Sequence, residues 1–264
     1  MAKRKYIKKG QCIWCMKKEP DVAFNVVPHT ISRQLGSINI GVDICDSCNH
    51  YFGKVDNTQK HSMSVELAFK EIMNVMRLLL KNDFNEKTYK TFKSIYFNYH
   101  HSKSIIKINN RFKLQPFFIS SLTRQFKRGI YEVFLQEYHR VTENALDDKF
   151  NSIREFVRDD KGDLPLYFLE NNGVYMVEEN IDSPSFTFNE NVISEINDYG
   201  FYTMMMFGNV FFLEVSSRAE LTRDMFLLKE SKKLIGSGFI YSRLREMEYV
   251  TDIDFTLRSL HQKE

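Results

Sequence analysis

Cys12-Ile13-Trp14-Cys15 and Cys45-Asp46-Ser47-Cys48-Asn49, separated by 29 residues, together hold all 4 cysteines of the chain. Two C-x-x-C pairs at this separation can supply four thiolates to one tetrahedral zinc ion, closed on all sides, as a structural site requires. No cysteine is left over for a disulfide framework. The quartet Cys12, Cys15, Cys45 and Cys48 therefore sets the reading of the first 60 or so residues. A lone His29 lies between the pairs, and Asn49 directly follows the last cysteine.

Outward from the quartet, the 264 residues suffice for one large or two smaller cores. The basic start, Met1 to Lys9, is followed by no apolar stretch, so a secretory signal is not expected. The densest apolar run, Phe207 to Val215, is too short to span a membrane. Thiols paired for metal and no signal peptide suggest a reducing, cytoplasmic compartment. The net charge of +3 hides an asymmetry: residues 1–140 carry 24 Lys/Arg against 11 Asp/Glu, whereas residues 141–264 carry 13 against 23. A basic half suits phosphate; an acidic half suits a protein partner, self-association, or the basic half itself.

The patterns divide the chain into three parts. Residues 1–62 contain a basic arm (1–10) and the cysteine region. In residues 63–150, Val65 to Leu80 repeats apolar side chains at helical spacing after Ser62 or Ser64 as N-cap. The aromatic segment 86–100 reads as helix or loop, and Phe117 to Val141 as a longer helix with Arg124, Lys127 and Arg128 on a basic face. Residues 151–264 change period. Asn171-Asn172-Gly173 and Gly208-Asn209 mark two hairpins, and Ser217 to Lys233 returns to helix before Gly236-Ser237-Gly238. Within the second hairpin, Met204-Met205-Met206 reads as core strand with at most one side chain exposed.

The stretch from Cys12 to Asp56 resembles the HNH endonucleases, small ββα-metal nucleases often braced by zinc. The matching residues are Cys12-Ile13-Trp14-Cys15, Phe24 through His29, Leu35-Gly36, Cys45-Asp46-Ser47-Cys48-Asn49, Phe52-Gly53 and Asp56. The resemblance implies that His29 is the general base and that the Asn49 amide holds the His29 loop. It makes Asp56 a ligand of a catalytic Mg²⁺ or Mn²⁺. The chemistry is coherent, because phosphodiester hydrolysis needs a base for water and a cation for the leaving oxygen. Imidazole titrates near neutrality, and Asp56 lies two helical turns after Asn49, on the same face. Ile38, Ile40, Val42 and Ile44 alternate as a returning strand, and Cys48 and Asn49 would open the helix. One departure stands out: Pro28 occupies the position where the group usually places a second metal ligand. His50, Asn57 and His61 are the nearby substitutes.

The expected fold class is thus α+β: an N-terminal zinc-braced ββα-metal module, a helical middle segment and a C-terminal antiparallel sheet with helices. Lys3, Arg4, Lys5, Lys17, Lys18, Arg33 and Lys54 would neutralise nucleic-acid phosphates, with Lys8 and Lys9 on the arm. Lys103, Lys107, Arg111, Lys113, Arg124, Lys127 and Arg128 could extend that track. Three functions compete: a metal-dependent DNA endonuclease, with RNA as the other substrate class; a non-catalytic nucleic-acid-binding protein on a degenerate HNH fold; and a subunit that docks a larger complex through its acidic half. Trp14 reads as packing on the knuckle, and His100-His101 as structural or surface residues.

Overall fold

The computed structural model describes residues 5–54, 63–80, 92–100, 103, 105–113, 117–170, 184, 186–236, 243–253 and 257. Its N-terminal region is built from turns more than from regular elements. After the first cysteine pair the chain reverses at Met16, whose φ of 60° is left-handed, and a Cys12 N–H to Lys17 carbonyl bond of 2.9 Å closes the knuckle. The second pair lies at the start of helix α1 (Asp46–Gly53). That helix begins earlier than expected. Cys45 is its N-cap, and the Asn49 N–H already donates to the Cys45 carbonyl at 2.9 Å.

Two expectations for this region are corrected. Residues 38–44 do not form a returning strand. The pairing is a single bridge, His29 opposite Ile40, flanked by Thr30 N–H to Asn39 O and Gly41 N–H to Pro28 O. Ile38 is 87% exposed, while Val42 and Ile44 are buried, so no one face of a strand is covered throughout. Nor do residues 5–10 hang free. The Asp43 carboxylate accepts from the N–H groups of Lys8, Lys9 and Gly10 at 2.8–3.0 Å, and Lys8 and Lys9 each pair with Glu143.

Helix α2 (Val65–Leu80) starts as expected, with the Ser64 hydroxyl accepting from the Leu67 N–H at 3.2 Å, and buries Ala68, Phe69, Ile72, Met73 and Met76. The helical middle segment expected from the sequence is interrupted by a hairpin of β1 (Phe97–His100) and β2 (Ile105–Ile108), followed by a single turn, α3 (Asn110–Lys113). Tyr96, Phe97 and Ile106 turn inward there, an alternation too short to be separable from a helical aromatic pattern in the sequence.

The axis of the molecule is α4 (Phe118–Thr142), 25 residues long and buried on every side from Phe126 to His139. Helix α2 lies along it, with Phe69 stacked on Phe126 at 6.2 Å between ring centres. Gly129 makes this approach possible, because a Cβ there would meet the Phe69 Cβ at 2.6 Å. Gly129→Ala is therefore expected to lose about 1–2 kcal/mol, since overpacking outweighs the gain in helix propensity. Thermal unfolding measures it; a melting temperature equal to wild type would contradict the tight contact.

The basic face expected on this helix is not a phosphate track. Lys127 and Arg128 are buried; Lys127 pairs with Asp163 at 2.8 Å, and Arg128 with Asp160 at 3.2 Å. Arg124 reaches Asp160 at 2.7 Å. The positive and negative halves of the chain meet here, satisfying charges that would otherwise be buried alone.

After α5 (Asn151–Val157), a four-stranded antiparallel sheet in the order β4-β5-β3-β6 forms from β3 (Leu166–Glu170), β4 (Phe201–Met206), β5 (Asn209–Glu214) and β6 (Arg243–Glu246). One face, with Phe168, Tyr202, Met204, Met206, Phe211 and Leu213, joins the core around α4. The other, with Tyr167, Phe201 and Phe212, packs Ala219 and Phe226 of α7 (Arg218–Gly236). The methionine triplet reads out as expected, Met205 alone being exposed, at 67%. The β4–β5 turn is Phe207-Gly208, both at positive φ, one residue earlier than expected. The first expected hairpin, Asn171-Asn172-Gly173 with Val174–Val177, lies outside the described residues.

Helix α6 (Glu190–Tyr199) is closed by the Asn189 side chain at one end and left-handed Gly200 at the other, signals the sequence reading passed over. One cluster of buried side chains runs from Cys12 to Leu257. Among the described residues no helix is long and apolar enough to cross a membrane.

Candidate functional site

The four cysteines converge. Their sulfurs all lie within 4.8 Å of one another, with Cys15 Sγ and Cys45 Sγ at 3.8 Å. A tetrahedral metal with bonds of about 2.3 Å to sulfur separates its ligands by about 3.8 Å, so the cluster is compatible with a structural metal such as zinc. Cys12, Cys45 and Cys48 are fully buried and Cys15 partly so. Such thiols cannot all ionise unaided. Cys12 is pushed up to about 12, chiefly by its contact with Cys45, and Cys48 is raised through its contact with Cys12. Cys45, accepting from Cys12, is lowered. A divalent cation removes this competition for protons.

The sequence did not foretell what surrounds the thiols. Arg158 donates from Nε to Cys48 Sγ at 3.3 Å, the Cys45 N–H to Cys12 Sγ at 3.5 Å, and the Ser47 hydroxyl lies 3.2 Å from Cys45 Sγ. Arg154 holds the Ile13 carbonyl inside the first pair at 2.8 Å. Both arginines come from the α5 stretch, more than a hundred residues downstream, where no motif announces them. Trp14 packs edge-on against Phe52 at 4.9 Å, as the knuckle reading expects.

Beside the cluster opens a cavity of about 520 Å³. Among the residues singled out in the sequence, His29, Asn49, Arg33 and Lys54 line it, as does His50, one of the three substitutes for the ligand missing at Pro28. The other walls include Gly53 from α1, Glu66 and Phe69 from α2, and Gly129, Glu132 and Val133 from α4. His29 lines the cavity, and its Nδ1 is enclosed with no hydrogen-bond partner among the described residues. Pro28 is buried beneath, touching the Gly41 backbone and offering no donor. Lys17 and Lys18 are exposed on the knuckle, outside the cavity wall, and Lys5 is exposed on the N-terminal segment. Lys3, Arg4, Asp56, Asn57 and His61 lie outside the described residues, as does His101; His100 is exposed on β1.

Two side chains hold the His29 segment in place. Asp46 accepts from the N–H groups of Asn25 and Val26, both at 2.8 Å, fastening the approach strand to the α1 N-terminus. Glu137, fully buried on α4, accepts from the Thr30 hydroxyl and from Asn39 Nδ2 at 2.9 Å, thereby gripping both sides of the His29–Ile40 bridge. Its other oxygen takes Arg140 Nε at 2.8 Å. Glu137→Gln is expected to cost about 1–3 kcal/mol and to slow any reaction at His29 while leaving nucleic-acid affinity unchanged. Thermal unfolding and binding measured side by side test this, and an unchanged melting temperature would argue against the grip.

Glu132 and Glu66 were also missed. Burial, with the nearby Glu66 adding to it, raises the Glu132 carboxyl; that of Glu66, whose residue remains exposed, is raised by partial desolvation at the wall. Two wall carboxyls that resist ionisation together form a place where a cation would be favoured. Among the described residues, however, only the cysteine quartet brings three or more His, Cys, Asp or Glu ligand atoms within 4.8 Å of one another. In comparisons with known proteins, no family model, no curated protein and no solved structure matches the chain.

Proposed function

We propose that the protein is a metal-dependent endonuclease of the HNH type, hydrolysing phosphodiester bonds in DNA, with His29 as general base. The observation that carries this reading is the meeting of His29, Asn49, Arg33 and Lys54 in one cavity, against a helix that starts in the cluster of four cysteines. These residues are scattered over the first 54 positions, and both cationic residues line the same cavity as the imidazole. On this reading the quartet binds structural zinc, whose donor set and spacing it fits.

On this reading His29 takes a proton from the attacking water at an imidazole nitrogen. Arg33 and Lys54 hold the flanking phosphates at the cavity mouth. The Asn49 amide would, on this reading, orient the His29 segment, which Asp46 and Glu137 hold by hydrogen bonds. A hard divalent ion, Mg²⁺ or Mn²⁺, if bound here, would supply charge stabilisation at the leaving oxygen. Asp56 is its expected ligand, and Glu66 and Glu132 are the carboxylates in the wall. Pro28 supplies nothing to it.

That last point favours a second reading, a nucleic-acid-binding protein that has kept the scaffold and lost the chemistry. Zinc-replete protein incubated with supercoiled plasmid and Mg²⁺ or Mn²⁺ separates the two. The first reading expects nicked or linear product. Salt-sensitive binding without cleavage under either metal leaves only the second.

A further inference from the structure

We infer that the outer face of α7 is a self-association surface, on which a second copy of this chain packs its own α7 antiparallel to the first. The inner face of this helix is spent on the sheet: Ala219, Thr222, Phe226 and Glu230 are buried. The outer face carries Leu221, Met225 and Leu228, exposed by 89%, 57% and 56%. Their steps of four and then three residues form the seam along which two helices interdigitate. A solitary exposed leucine needs no explanation, but three in register on one helix do.

The charges on the same face select the occupant. Asp224 at the edge of that face and Glu220 on the adjoining flank stand at the N-terminal end, Lys232 within it at the C-terminal end, and none of the three has a hydrogen bond or ion pair with a described residue. The remaining basic side chains of the described helix face are engaged: Arg218 with the Asp198 carbonyl, Arg223 with Glu214, Lys229 with Glu195 and Lys233 with Glu230. Glu220 and Asp224 are four residues apart, so they repel each other within the helix. An antiparallel second copy sets Met225 against Leu228 and brings its Lys232 alongside Leu221, between these two acids. Parallel packing would instead set acid against acid. The face is thus complementary to itself under a twofold rotation, as a closed symmetric dimer requires.

A single pair of helices lies at the small end of specific interfaces, so association in the micromolar range is expected. The proposal stands whether or not the chain cuts nucleic acid. If it does, the twofold pair carries two cavities, one for each strand of a duplex.

Sedimentation of the full-length, zinc-replete protein from low to high micromolar concentration tests it. The mass should rise from 31.3 kDa towards twice that value. Met225→Asp should weaken association on the order of a hundredfold. Lys232→Glu and Asp224→Lys should each weaken it about tenfold, and the double variant should regain most of the loss. All three positions are exposed, so an unchanged melting temperature will confirm that each variant folds. A monomer at every concentration overturns the proposal, whether a different partner or another part of the chain covers the face. A dimer indifferent to Met225→Asp, or charge reversals that do not rescue each other, overturns it equally.

Discussion

Cys45→Ser is expected to abolish metal binding and to unfold the protein from its N-terminal end through the central helix. Metal analysis of the wild type should give about one zinc per chain, and of the variant close to none. A structural zinc site contributes on the order of 10 kcal/mol of folding free energy, as much as the whole net stability of a typical domain. Cys45 is the most exacting of the four positions. It is fully buried, is the N-cap residue of α1 and lies against Ser47 Oγ and Cys15 Sγ, so serine would set a hard oxygen where a soft sulfur donor is needed.

The loss would not stay local. Half-buried Arg158, which donates to Cys48, would lose that acceptor, and buried Arg154, which holds the Ile13 carbonyl, would face a collapsed knuckle. Circular dichroism during chelation should therefore show helix loss well beyond the eight residues of α1. Apoprotein that keeps its melting temperature and full helix content would refute a structural role for the metal.

His29→Ala carries the second large effect, on rate and not on stability. Removing a general base typically costs on the order of 10² to 10⁴ in rate, and plasmid cleavage should fall accordingly under single-turnover conditions. The rest of the protein should hardly notice. The ring projects into the cavity wall with Nδ1 unpartnered, so its removal breaks no hydrogen bond at that atom. Zinc content, melting temperature and salt-dependent DNA affinity should all match wild type. A variant that cleaves at the wild-type rate would remove His29 from the chemistry, and one that loses zinc would make its role structural.

The parts of this architecture legible in the sequence are those written at short range. The C-x-x-C pairs announce their own convergence, because each pair fits one turn of chain. The convergence of His29 and Asn49 at a shared cavity follows from the same brace. Alternation over six residues was enough to orient Met204, Met205 and Met206. The misreadings came from treating charge as exposure. Lys127 and Arg128 look like a solvated basic face until Asp160 and Asp163, over thirty residues away, fold against them. Glu132 and Glu137 sit on a helix whose periodicity says nothing of polar burial; Glu132 is bonded by Gln136 one turn on, whereas Glu137 takes Thr30 and Asn39 from the first 40 residues. Strand β6, Arg-Leu-Arg-Glu, is an edge held by pairing to β3, and its composition carries no strand signal.

The bond from His139 Nε2 to Asp43, 3.0 Å long and wholly enclosed, has a consequence for portability. His139 Nδ1 accepts from the Ala145 N–H at 3.1 Å, so its one ring proton points at Asp43, the same carboxylate that gathers the amides of residues 8–10. Severing the chain at residue 62 would strand Asp43 without this histidine, Thr30 and Asn39 without Glu137, and Cys48 without Arg158. The cysteine region is thus not a cassette to be grafted onto another protein. Its second half of bonding partners is supplied by α4 and α5, and a transplant would have to carry that framework with it.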